Sequence, residues 1–231
     1  MGRLLIPAAY AVYAAFWIRF LMHGLVWWRA TRNMLPSGRV RSGPLVKAAG
    51  LTLLDMLFLG RLFMVNPSLW LGEWVFHASF LLVLLRHLRF FLNPVPDWVW
   101  ALQTPGLIAG YILPLSLVFI LIIRLFTKRE KYASPRNMVL LGLVLALSSV
   151  GLMMQTLFKP DLVDAKLFVY GLMTCAPAAP PTGTLFFVHF SLFLVVVLLL
   201  PSHLVTAPLV MYEARKREGQ LREVMHDEEI Q

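Results

Sequence analysis

The sequence has few charged residues, and long stretches of it carry none. Charged side chains make up 14% of the 231 residues and hydrophobic side chains 59%, whereas about 25% of the residues in an ordinary soluble domain are charged. The charges that remain are concentrated in short segments between long apolar stretches. This is the pattern of bilayer spans joined by polar loops, and it excludes a soluble globular domain.

Cysteines, phosphate-binding loops and internal repeats are scarce or missing. The single cysteine, Cys175, excludes an intramolecular disulfide and any iron–sulfur cluster held by this chain alone. The sequence contains no glycine-rich loop of the GxxxxGK[ST] or GxGxxG type. The lack of an internal repeat argues against an inverted-repeat transporter.

Five apolar stretches are predicted to cross the membrane. Each is long enough for about 30 Å of hydrocarbon at about 1.5 Å per residue. The first is too long for the hydrophobic region of a signal peptide and lacks a small-residue cleavage site, so we expect it to be retained. The spans are Leu4–Trp28, Leu71–Phe91, Thr104–Phe126, Met138–Phe158 and Thr184–Val210. We therefore predict an all-α membrane protein, a five-helix transmembrane domain over residues 1–212 followed by a tail over residues 213–231.

A sixth apolar run, Leu51–Val65, is shorter and contains Asp55 and Arg61. Counting it as a span would place the two large basic loops on opposite sides of the membrane. We therefore predict an extra interfacial or docking helix over about residues 48–65.

The basic residues indicate the orientation of the five spans. Loops Arg29–Lys47 and Lys128–Arg136 and the tail carry most of them, and the loop Lys159–Gly183 between the last two spans has only two lysines. The positive-inside rule then places the N-terminus outside and the C-terminus in the cytoplasm. The net charge of +9 is thus attributed to membrane orientation rather than to nucleic-acid binding. The tail is either solvated or a docking surface for a cytoplasmic subunit.

Four of the six histidines lie in two of the predicted spans. They are His77 and His87 in the second span, and His189 and His203 in the fifth. The first two are about 15 Å apart along a helix and about 80° apart around it, and the other two are about 21 Å and about 40° apart. Each helix can therefore turn both of its imidazoles toward the same neighbour.

The antiparallel direction of these two spans sorts the histidines by depth. His87 and His189 fall at the outer level, and His77 and His203 at the inner level. Two histidines at each of two levels is what two stacked b-type haems with two imidazole ligands each require. The alternative is a set of histidines bonded to carbonyls or lining a proton path. A single zinc site is disfavoured because the levels lie too far apart.

Basic side chains near these levels are candidate partners of haem propionates. Arg86 and Arg89 flank His87, Arg19 lies within the first span, and Arg61 is a candidate near the inner level. The alternative for such residues is that they reach toward lipid headgroups.

The other two histidines have no partner at a matching depth. His23 is predicted to be a packing or interfacial residue, and His226 in the tail is predicted to be solvated.

Three local motifs are similar to those of a known family: Trp17-Ile18-Arg19 with Trp28-Arg29-Ala30 and Met34-Leu35, Phe76-His77 with His87, and His189 followed by an apolar run to Pro201-Ser202. In these motifs the chain resembles the gamma subunit of respiratory nitrate reductase and its relatives in the membrane complexes of dissimilatory sulfur metabolism. The resemblance implies a five-span dihaem cytochrome b that oxidises quinol near the outer face. Electrons would then pass from the outer to the inner haem and into cytoplasmic iron–sulfur and catalytic subunits.

The resemblance implies haem ligands at specific positions. His87 and His189 would hold the outer haem, and His77 one side of the inner haem. The family's last histidine lies further beyond the proline than His203, which we take as its substitute. The family's quinol-associated lysine at the start of the third span has no counterpart, and Gln103 stands there with Thr104.

We therefore predict a dihaem b-type cytochrome, the quinone-reacting electron-transfer subunit of a respiratory oxidoreductase in a prokaryotic cell (inner) membrane. Its partners would be quinol or quinone and a cytoplasmic iron–sulfur subunit. From depth and polarity we place the quinone near Asp97 and Gln103, and we assign no catalytic side chain. The alternative is a non-haem membrane anchor or transporter subunit.

Overall fold

The computed structural model describes residues 4–33, 42–126 and 135–229, and the regular elements within these ranges are helical. They are α1 (Leu5–Asn33), α2 (Ser42–Phe58), α3 (Gly60–Val65), α4 (Pro67–His87), α5 (Asp97–Ala101), α6 (Gln103–Phe126), α7 (Pro135–Thr156), α8 (Leu162–Met173) and α9 (Thr184–Glu229). The predicted all-α class is therefore confirmed. The Met34-Leu35 motif and most of the two basic loops lie outside the described residues, as does the side chain of His226.

Five of these helices are long and apolar enough to cross a membrane. The stretches that qualify are Leu5–Ala30, Pro67–Phe90, Gln103–Phe126, Pro135–Thr156 and Thr184–Gly219. Each overlaps one predicted span, so the five-helix prediction is confirmed at the level of the helices. The sides of the membrane on which the two termini lie stay predictions.

Two helix starts follow from local capping that the hydropathy pattern does not register. The helix α4 begins four residues before the predicted span, because the Asn66 side chain accepts a hydrogen bond from the Leu69 amide at 3.0 Å and Pro67 occupies the first turn. The helix α8 lies inside the predicted outer loop. Asp161 caps it by accepting from the amides of Val163 and Asp164.

The last helix, α9, extends well beyond the predicted span. It continues from Thr184 to Glu229 through Pro201 and Pro208, and no helix end separates the predicted membrane domain from the predicted tail. The predicted boundary at residue 212, between the part of α9 in the membrane and the part outside it, therefore stays a prediction.

The sixth apolar run forms two helices, α2 and α3, which are separated at Leu59. The backbone of Leu59 is left-handed, with φ 50°, and this conformation cannot continue a right-handed helix. Asp55 on α2 is 5% exposed, and it accepts hydrogen bonds from Arg215 at 2.7 and 2.9 Å. Arg61 forms ion pairs with Asp55 and Glu218. The run is thus tied to α9, while its interfacial position stays a prediction.

Two apolar cores hold the bundle together. The larger joins α4, α6, α7 and α9 around Leu117, Ile120 and Val196, and the smaller joins α1, α8 and α9 around Phe168. Gly72 lets α4 approach α6 closely, because a Cβ there would lie 2.9 Å from both the Ile120 and Phe119 side chains. Within the described part of the chain, α4 and α9 are not among the closely packed helix pairs. The two histidine-bearing helices therefore stand apart from each other.

Candidate functional site

The two histidines of α4 share one hydrogen-bonding arrangement. The Nδ1 atom of His77 lies 2.6 Å from the Glu73 carbonyl oxygen, and that of His87 lies 2.7 Å from the Val83 carbonyl oxygen. A carbonyl oxygen can only accept, so Nδ1 carries the proton in both rings and donates it. The other nitrogen, Nε2, then has a free lone pair. Iron-binding imidazoles have this arrangement, in which one nitrogen binds the metal while the other is anchored to an acceptor.

The histidines of α9 lie near those of α4 in two pairs. His189 is close enough to His87 for their charges to interact, and His203 interacts in the same way with His77. These are the two pairs that the antiparallel spans predict. The rings of His77 and His203 are exposed, whereas those of His87 and His189 are partly buried. Each pair thus joins one histidine of α4 with one histidine of α9.

The surroundings of His189 fit a ligand-binding ring. Gly151 on α7 makes room for it, since a Cβ there would lie 3.0 Å from His189 Cε1. The Nδ1 atom of His189 is buried and has no hydrogen-bond partner among the described residues. Buried polar atoms are normally paired, so this ring is suited to interact with a further group. The ring of His189 and the free Nε2 atom of His87 are of the kind that two imidazole ligands of one haem require.

Two arginines gather beside His87 without a carboxylate. Arg86 Nε and Arg89 Nη1 donate to the same Gln103 Oε1 atom at 3.1 and 3.0 Å, and Arg86 Nη2 donates to Gln155 at 3.3 Å. Arg89 Nε is buried without a partner among the described residues. No ion pair joins either arginine to a described acidic residue. Two guanidinium groups held by neutral amides can accept an anion, and the carboxylates of haem propionates have the required chemistry.

The remaining predicted site residues are not brought into these clusters. Arg19 is partly exposed on α1 and forms no hydrogen bond or ion pair with another described residue. Asp97 is exposed at the start of α5 and likewise has no such contact within the described ranges. Gln103 lies instead in the arginine cluster. The placement of a quinone near Asp97 and Gln103 therefore stays a prediction.

The sequence analysis missed a charged pair at the inner level. Glu73 Oε1 accepts from Arg124 Nη2 at 2.6 Å, and the two side chains are 13% and 15% exposed. A signal for it was present, because Glu73 is the only acidic residue in the second predicted span and an ionised group within a membrane needs a partner. Gln155 and Gly151 were missed as well, since neither residue type indicates a site by itself.

Comparison with known proteins reveals related chains of named function. Over 149 residues the chain is 32% identical to an "Hdr-like menaquinol oxidoreductase cytochrome b-like subunit" of Archaeoglobus profundus, a match that covers 58% of this chain and 44% of the relative. A protein with the same description from Archaeoglobus fulgidus is 36% identical over 140 residues, covering 54% of this chain and 42% of the relative. The chain is similar to quinol-oxidoreductase cytochrome b subunits. It spans less than half the length of these relatives.

This similarity confirms the predicted likeness to a membrane cytochrome b of a quinol oxidoreductase. No family model matches the chain. No solved structure matches it either. With five apolar helices, the chain is a multi-pass membrane protein.

Proposed function

We propose that this chain is a dihaem b-type cytochrome subunit that transfers electrons between membrane quinol and a partner on the cytoplasmic side. His87 and His189 would hold the outer haem, and His77 and His203 the inner one. The observation that carries the proposal is the state of the α4 imidazoles. Both donate Nδ1–H to a carbonyl of their own helix, which leaves Nε2 free to bind a metal.

The residues of the chain would bind the cofactors and control their environment. A bound b haem supplies reversible one-electron chemistry at its iron. The carbonyl groups of Glu73 and Val83 fix the orientation of the two α4 rings. Arg86 and Arg89 balance negative charge at the outer level, where Gln103 and Gln155 hold them in place.

The direction and partners of electron transfer are part of the same proposal. The described relatives carry menaquinol oxidoreductase in their names, which supports a quinol as the substrate. We place quinol oxidation at the outer face near Asp97 and Gln103, and a cytoplasmic iron–sulfur subunit at the inner face of a prokaryotic inner membrane. If Asp97→Ala leaves quinol oxidation by the purified complex unchanged, this quinone placement is wrong. Gln103→Leu is a less clean probe, because Gln103 also holds two arginines.

Counting haems in purified protein tests the function. A dithionite-reduced-minus-oxidised spectrum and a pyridine haemochrome assay should give two haems b per chain. His87→Ala and His189→Ala should each remove the same haem, and His77→Ala and His203→Ala the other. His23→Ala is the matched control, since this imidazole of α1 has no predicted partner. A colourless protein from cells supplied with haem would refute the cytochrome and favour the membrane anchor or transporter.

A further inference from the structure

A buried ion pair lies beside the inner histidines. Glu73 near the start of α4 and Arg124 near the end of α6 approach to 2.6 Å, and both side chains are largely shielded from solvent. Arg124 Nε is buried without a hydrogen-bond partner among the described residues. In a medium of low dielectric, each of these charges acts strongly on its neighbours, and the two oppose each other.

The pair acts on both histidines of the inner level. The carbonyl oxygen of Glu73 accepts the hydrogen bond that fixes the His77 ring. The carboxylate of Glu73 interacts electrostatically with His203 on the opposite helix. A second cation approaches this level from α7, where Arg136 donates to the buried Ser202 hydroxyl at 2.6 Å, next to His203.

The outer level is built differently. Arg86 and Arg89 are held there by glutamine side chains, and no described carboxylate forms an ion pair with either. Among the described residues, the inner level therefore combines a buried acid with a buried base, and the outer level does not. Changing either partner would alter the charge at the inner site without altering that at the outer site.

We propose that the Glu73–Arg124 ion pair tunes the redox potential of the inner haem. This inference rests on the proposed function. A carboxylate near the iron stabilises the oxidised, more positive state and lowers the potential, whereas a guanidinium group stabilises the reduced state and raises it. In the intact chain the two effects largely cancel. Neither Glu73 nor Arg124 is placed as an iron ligand, and both would act on the haem through their charges.

Redox titration of the purified complex, followed in the haem absorption bands, tests the proposal. Glu73→Gln should raise the potential of the inner haem, and Arg124→Gln should lower it. The double variant should return close to the parent value, and the outer haem should not shift in any of them. The inner haem is identified as the one that His203→Ala removes. Ser116→Ala, which changes a buried uncharged side chain on α6, should leave both potentials unchanged.

Haem counts distinguish failure of the proposed dihaem function from failure of the proposed role of the ion pair. Parent protein without an inner haem would overturn both the dihaem function and the role of the pair. Two haems with unmoved potentials in Glu73→Gln, or equal shifts of both haems, would overturn the role of the pair alone. If Arg124→Gln does not fold, Arg124→Lys keeps the charge and should retain the parent potential, while Glu73→Gln still decides the question.

Discussion

At the scale of single residues, Gly151 is a position where a substitution can reveal whether His189 binds a cofactor. Its Cβ position lies 3.0 Å from the ring of His189. A free imidazole can rotate away by the few tenths of an ångström that an added methyl group requires. An imidazole bound to iron cannot do so without straining its bond to the metal.

Whether Gly151→Ala disturbs or stabilises the protein therefore depends on whether His189 binds a haem. If His189 binds iron, we expect the variant to lose part of the outer haem or to shift its absorption, as measured by pyridine haemochrome and visible spectra. If no haem binds, replacing a glycine inside a helix with alanine should stabilise α7, by about 1 kcal/mol in soluble hosts. Gly142→Ala is the control on the same helix, because no atom lies within 4 Å of its Cβ position. An unchanged outer haem in Gly151→Ala would contradict iron binding by His189.

The sequence predicts residue pairs well only where helix geometry relates them. His77 and His87 share a helix, so their depth and direction follow from the rise and twist per residue. The opposite pairing with α9 follows from the antiparallel spans. The contact of Glu73 with Arg124 spans 51 residues and depends on how α4 packs against α6. No periodicity within either segment encodes that packing.

At the scale of elements, α2 is tied to α9 by one buried ion pair. Both oxygens of Asp55 accept from Arg215, and the Asp55 side chain is 7% exposed against 19% for Arg215. A carboxylate that accepts hydrogen bonds from two N–H groups of one guanidinium group has a well-defined geometry. Removing one partner would leave a buried charge without its main counterion.

We expect Asp55→Asn to loosen α2 from α9 and to cost about 3 kcal/mol, the lower end of what breaking a buried pair costs. A thermal unfolding curve of the purified protein in detergent measures the loss, and limited proteolysis would show whether α2 becomes accessible. Lys216→Gln is the control, since it breaks a 3.6 Å pair with Glu213 within α9 itself and should leave α2 protected from the protease. Equal melting points for Asp55→Asn and the parent would show that apolar contacts alone hold α2.

Element boundaries show which signals hydropathy alone overlooks. The start of α4 was readable from Asn66 and Pro67, and the start of α8 from Asp161, because capping residues act locally. The separation of α2 from α3 was not readable. It depends on a left-handed Leu59, a residue type that rarely adopts this conformation and does so here under tertiary constraint.

At the scale of the whole molecule, the apolar pattern predicts five helices but not their arrangement. Length and composition identify each span independently. The spacing between α4 and α9 instead depends on how α6 packs against α4, how α7 packs against α9, and how α6 and α7 pack against each other. That spacing decides whether the four histidines can hold cofactors between the helices. The membrane orientation is likewise a property of the whole chain, because it depends on charges summed over all loops.

The orientation can be tested with the single native cysteine. Cys175 is exposed in the loop Lys159–Gly183, which we predict to lie outside. A membrane-impermeant maleimide should therefore label it in right-side-out membrane vesicles, with mass spectrometry as the readout. Cys175→Gly removes the thiol and suits the left-handed backbone there, with φ 57°. In this background, Gly219→Cys near the C-terminus should be labelled only after the membrane is permeabilised.

Gly219 is a suitable position for the second label, because an added Cβ meets no atom within 4 Å. The reverse pattern, with Gly219→Cys labelled from outside and Cys175 protected, would show that the chain has the opposite orientation in the membrane. His77 and His203 would then lie at the outer level, with the Glu73–Arg124 pair beside them. A cytoplasmic partner would have to receive its electrons at the end that carries Arg86 and Arg89. This result would be compatible with the histidine pairs, but it would contradict the proposed direction of electron transfer.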